Sequence, residues 1–112
     1  MTYEDVMSML KEAKLPFAYD HFAEGESPDP PLLIFLFPDS NNFMADDSVY
    51  QEIDSLNIEL YTDKKNPKLE KRIQKILKAH ELPWTKSEVW IESEKMYEVL
   101  YETQILGGNE DV

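Results

Sequence analysis

The side chains that could do chemistry are few. The chain has two histidines, His21 and His80, and imidazole is the group whose ordinary pKa lies nearest neutrality. Neither sits at metal-ligand spacing from a Cys, a His or a Glu. His80 also falls at the end of a helix-patterned stretch, where a partly charged ring is favourable in any case, so both read as structural. Asp46 and Asp47, and separately Glu92, Glu94, Glu98 and Glu102, carry the oxygens that a divalent cation prefers. Glu98 and Glu102 share a strand face but stand about 13 Å apart, too far for one ion without a partner strand. A solvated sheet face is the simpler reading. Ser8, Ser40, Ser48, Ser55, Ser87 and Ser93 lack the glycine pattern of a nucleophile elbow. Three glycines in all leave no phosphate-cradling loop. The absence of cysteine excludes disulfides and thiolate metal sites. The sequence therefore predicts no enzyme, with no catalytic, cofactor-binding or metal-binding residues.

What remains is charge. The chain carries −12 at neutral pH, which argues against general binding to a phosphate backbone. Residues 64–78 run the other way: Lys64, Lys65, Lys68, Lys71, Arg72, Lys75 and Lys78 stand against the single acid Glu70, a local +6 that leaves −18 on the rest. Two readings stay open for this segment. It is an ordinary solvated helix face, or it meets an acidic neighbour, for which a second copy of the chain would serve. Unlike patches meeting head to tail form a heterologous contact, which closes into a ring if the angle allows.

The elements that hold these residues follow from periodicity. Leu56, Ile58 and Leu60 alternate with Asn57, Glu59 and Tyr61, predicting a strand over Leu56–Tyr61. Leu69, Ile73, Ile76 and Leu77 form one apolar stripe of a helix over Pro67–His80. Asn66 is its N-cap and Pro67 its first residue, Glu70 and Lys78 suit its dipole, and Pro83 follows its end. Strands follow over Ser87–Ile91 and Lys95–Ile105. In the last, Tyr97, Val99, Tyr101, Thr103 and Ile105 share one face, and Glu98, Leu100, Glu102 and Gln104 the other. A first helix is expected over Thr2–Lys14, with Thr2 and Asp5 as a capping box and Val6, Met9, Leu10 and Ala13 as its stripe. A short strand is expected over Phe17–His21, and a Pro-rich loop over Glu24–Pro31. The apolar run Leu32–Phe37 reads as a central strand, buried on both faces or buried on one and covered by neighbours on the other. Phe43–Asp47 is a short strand or irregular loop, and Val49–Ile53 extends the strand that follows. Tyr97 and Tyr101, with Trp84 and Trp90, read as core rather than as a ligand site; one exposed Trp would suit an interface anchor.

At 112 residues the chain makes one domain. The expected fold is α+β: a mostly antiparallel sheet of four to six strands with two helices packed on one face, in the order α-β-β-(β)-β-α-β-β. Residues 1–106 form the domain, and 107–112 an acidic, mobile tail. The longest apolar run is too short to span a bilayer, and no secretory leader pattern is present, so the chain reads as soluble and cytoplasmic when made.

The stretch Tyr50–Ile105 carries a resemblance. Its strand ending in Glu59–Thr62, the Lys-rich turn and helix over Asp63–Lys78, the aromatic Trp84 after a proline, and the final strand pattern over Glu94–Glu102 resemble small tail proteins of long-tailed phages and prophages of Gram-positive bacteria. The resemblance implies a tail terminator, tail-completion or head-tail joining protein with an α+β subunit. Such proteins commonly form hexameric rings and act by contact without a cofactor. The implied partners are copies of the chain itself and other tail or connector proteins. The implied place is the virion tail, with host cytoplasm during assembly. From another class, the −18 on the remainder also fits an acidic regulatory protein that imitates DNA and blocks a nucleic-acid enzyme.

Overall fold

The computed structural model describes residues 1–46 and 48–107. Helix α1 spans Tyr3–Lys11. Thr2 caps it: its hydroxyl accepts from the Asp5 amide at 3.0 Å, and the Asp5 carboxylate accepts from the Thr2 amide at 2.8 Å. That is the expected capping box with Asp in the acidic place. The helix ends three residues before the expected Lys14. The amides of Glu12, Ala13 and Lys14 bond to carbonyls three residues back, a tighter turn than the α-helix, and Lys14 takes φ 58°. A left-handed residue in this place closes a helix.

The sheet has six strands: β1 (Phe17–Tyr19), β2 (Leu32–Leu36), β3 (Phe43–Ala45), β4 (Ser48–Thr62), β5 (Thr85–Ile91) and β6 (Met96–Gly107). Their lateral order is β1-β2-β4-β6-β5, and β3 pairs with the beginning of β4. The fold is α+β, and every strand pair but one is antiparallel. The exception is β1 with β2, joined by the long connection Asp20–Pro31, and a parallel pair needs such a long return. Strand β1 stops two residues before the expected His21. Asp20 takes φ 64° and donates its amide to Phe35 O at 2.8 Å, turning the chain off the sheet edge. Val49–Ile53 extends the strand over Leu56–Tyr61, as expected, and the whole is β4, held by β3, β2 and β6 in turn. Strand β5 begins at Thr85, two residues earlier than expected. The expected tail at 107–112 starts too early, since Gly107 is the last residue of β6, opposite Glu52; residues 108–112 lie outside the described residues.

Helix α2 spans Pro67–Ala79 with Asn66 as N-cap, its Oδ1 accepting from the Leu69 amide at 3.1 Å, and with His80 as C-cap. Both helices lie on one face of the sheet. The register sets Phe35, Ile58 and Tyr101 side by side across β2, β4 and β6, and residues directly opposed share a face. Phe35 packs against Tyr3 of α1 with ring centroids 5.7 Å apart, while the Tyr101 hydroxyl reaches Gln74 Oε1 of α2 at 3.2 Å. Val6, Met9 and Leu10 of α1, and Leu69, Ile73 and Leu77 of α2, join Leu33, Phe35, Leu56, Ile58, Leu60, Val99, Tyr101 and Ile105 in one buried core. Of the aromatic strip, Tyr101 is fully buried and Trp84 packs half-buried against this core. Trp90 stays exposed, edge-on to Tyr97 at 4.8 Å.

Among the described residues no helix lies on the opposite face of the sheet. Leu32 and Ile34 point there and are buried all the same. With Phe22 and Ser27 of the β1–β2 connection they line a cavity of about 390 Å³, so that connection covers the β2 end of this face. Toward β6 and β5 the face is open: Val89 is 53% exposed, and Thr85, Ser87 and Glu102 are exposed as well.

Candidate interaction surface

Residues of an α-helix advance by about 100° each, which decides where the basic residues of α2 point. Lys68, Lys71, Lys75 and Lys78 fall opposite the Leu69–Ile73–Leu77 stripe. All four are exposed, and among the described residues none has an ion-pair partner; the same is true of Lys64 in the preceding turn. Arg72 falls on one flank of the helix, where its guanidinium donates to Ala13 O at 2.8 Å and ties α2 to the end of α1. Glu70 and Gln74 fall on the other flank, toward Tyr101 and β5.

Two of the seven expected contact residues are engaged within the chain itself. Arg72 is engaged with the chain's own backbone. Lys65 bridges Glu70, at 2.7 Å, and Glu88 on β5, while Lys86 on β5 reaches the other oxygen of Glu70 at 2.7 Å. The cause lies in the register. Lys86 and Glu88 stand opposite Tyr101 and Val99, so they project to the helix side of the edge strand, under the first turn of α2. Glu70 is 4% exposed. Burial pushes its carboxyl up, and the two ammonium groups more than offset this, so it stays below the ordinary glutamate value. The same bonds hold Lys65 above the ordinary lysine value.

The open face of the sheet shows the other sign. Among the described residues its side chains on β4, β6 and β5 include Glu59, Glu98 and Glu102 and no Lys or Arg. The Tyr61 hydroxyl lies 2.8 Å from Glu59 Oε1 and 3.2 Å from Glu98 Oε1. Burial pushes the Glu59 carboxyl up; the Tyr61 bond opposes this, and the nearby Glu98 and Asp20 carboxylates add to it. Burial and the two carboxylates together push the Tyr61 hydroxyl far above its ordinary value. Alternation alone put Glu59 and Tyr61 on one face, but bringing Glu98 beside them required the pairing of β4 with β6. A second cavity, of about 420 Å³, lies on this side between Pro38 and Asp39 at one end and Trp84 and Thr85 at the other.

Each histidine bonds a carboxylate of the chain, and His21 also lines the cavity under the β1–β2 connection. His80 bonds Glu12 at 2.8 Å, joining the ends of the two helices, and His21 bonds its neighbour Asp20 at 2.9 Å. Glu92 pairs with Lys95 and accepts from the Trp90 indole. Asp47 lies outside the described residues, and among the described residues no three His, Cys, Asp or Glu side chains come together as a metal-holding group. No helix among them is long and apolar enough to cross a membrane. Comparison with protein-family models gives no match, and comparison with curated proteins gives none.

Proposed function

We propose that the chain is a structural protein of a long-tailed phage or prophage, a tail terminator, tail-completion or head-tail joining subunit. In this reading it works by contact, pairing with copies of itself in a ring and with neighbouring tail or connector proteins, and it makes or breaks no bonds. The observation that carries the reading is the unpaired lysine stripe of α2 on a strongly acidic chain. Such a stripe is complementary to another copy of the same molecule, and the resemblance of Tyr50–Ile105 to small phage tail proteins gives that pairing a setting. Purified protein mixed with isolated tail tubes and viewed by electron microscopy is expected to add a ring at one tube end. A protein that stays monomeric at high concentration and low salt, and leaves tube ends bare, would count decisively against the assignment.

The open sheet face, with Glu59, Glu98 and Glu102 and no Lys or Arg among the described residues of its strands, favours a second reading as an acidic inhibitor that imitates DNA. Stoichiometric block of a nuclease, polymerase or repressor by the purified chain is the result that would favour it over the first.

A further inference from the structure

We infer that the open face of the sheet is the receiving surface for α2 of a second copy of the chain, so that each subunit gives its helix to one neighbour and takes a helix from another. The inference rests on the proposed contact function and names the two surfaces that would carry it.

Charge is the first argument. One surface holds Lys68, Lys71, Lys75 and Lys78 without partners among the described residues; the other holds Glu59, Glu98 and Glu102 without a cation. Dimension is the second. Lys68 to Lys78 spans about 15 Å along a helix axis, and Glu98 to Glu102 spans about 13 Å along β6. Glu59 stands opposite Leu100, midway between those two, on the adjacent strand.

Hydrogen bonding is the third argument. The Tyr61 hydroxyl has a single proton for two carboxylates, at 2.8 and 3.2 Å, so one of them is left without a donor from this group. A lysine ammonium brings three donors and a positive charge to that place. The apolar stem behind it finds Leu100 and the exposed Val89 on the same face, the usual way a lysine covers apolar surface while its head stays at the rim.

Placement decides the symmetry. The lysine stripe lies on the outer side of the helix layer, and the carboxylates lie on the far side of the sheet. A two-fold pair would need both on one surface. Surfaces on opposite sides give a heterologous contact that propagates from copy to copy until it closes or forms a filament.

Sedimentation velocity of the full chain at low salt tests this. Wild type is expected to self-associate, and added salt to dissociate it. Lys71→Gln with Lys75→Gln removes the giving surface without creating an acidic one; Glu98→Lys with Glu102→Lys removes the receiving one. Each double variant alone is expected to associate about a hundredfold more weakly than wild type. Mixed one to one, the two are expected to form a heterodimer that grows no further, because each retains the surface the other lacks. Should the lysine variant of the sheet fail to fold, Glu98→Gln with Glu102→Gln is expected to weaken association in the same direction. The inference is overturned if wild type remains monomeric at low salt, if the sheet variants associate as tightly as wild type, or if the mixture forms no heterodimer. In the last two cases self-association itself, together with a ring on tail tubes if microscopy finds one, would still support the contact function through another surface.

Discussion

Glu70 shows how much one carboxylate can depend on its neighbours. It is nearly fully buried, yet it stays ionised because Lys65 and Lys86 each supply an ammonium at 2.7 Å. Breaking a buried ion pair from one side costs more than neutralising it. Lys65→Met with Lys86→Met leaves the buried carboxylate without its donors and is expected to destabilise the fold by about 1–3 kcal/mol, the lysines themselves being partly solvated. Glu70→Gln is expected to cost less, since Lys65 keeps Glu88 and Lys86 can turn to solvent; urea unfolding monitored by circular dichroism measures both. Because the Glu70 pKa is lowered by folding, its contribution is present above the unfolded glutamate value and is lost as the pH falls through the folded one. Glu59 has the opposite sign. Its pKa is raised by folding, so the ionised side chain weighs against the native state at neutral pH, and that cost fades in acid. Glu59→Gln is expected to raise the melting temperature at pH 7, and the gain is expected to vanish once the pH lies below the unfolded glutamate value.

At the scale of the element, α2 combines local and tertiary instructions. Asn66, Pro67 and the Leu69–Leu77 stripe specify where it starts and which side it buries, and these were readable from spacing alone. Asn66→Ala removes the Oδ1 acceptor of the Leu69 amide and is expected to cost about 1 kcal/mol, measured by thermal or urea unfolding. Serine at the same position is expected to restore most of it, because its hydroxyl can take the same amide. The ends of elements were harder to read. Helix α1 runs short of Lys14 and strand β1 short of His21 because Lys14 and Asp20 adopt positive φ, and nothing in a lysine or an aspartate announces that as a glycine would. Strand β4 takes in the expected extension over Val49–Ile53, and three partners hold it in succession, which the segment alone does not name.

For the whole molecule, one core joins both helices to the sheet, so unfolding is expected to be cooperative. Leu60→Ala, at the centre of that core and fully buried, is expected to cost about 2–5 kcal/mol. The loss should appear equally in the far-ultraviolet signal of the helices and sheet and in tryptophan fluorescence; two separated transitions would show that the layers unfold independently. The charge divides along the same layers, with the unpaired lysines outside the helix layer and a carboxylate face on the far side of the sheet.

Composition, alternation and helical spacing gave the α+β class, the two helices and the main strands, the inward stripe of each helix and the existence of a basic segment in an acidic chain, while leaving the strand number between four and six. These are legible because they depend on residues close together in the chain. The fates of Lys65 and Arg72, the burial of Glu70, and the meeting of Glu59, Tyr61 and Glu98 depend on which strand lies beside which and in what register. Those contacts join residues distant in sequence, and only the assembled sheet brings them within hydrogen-bonding range.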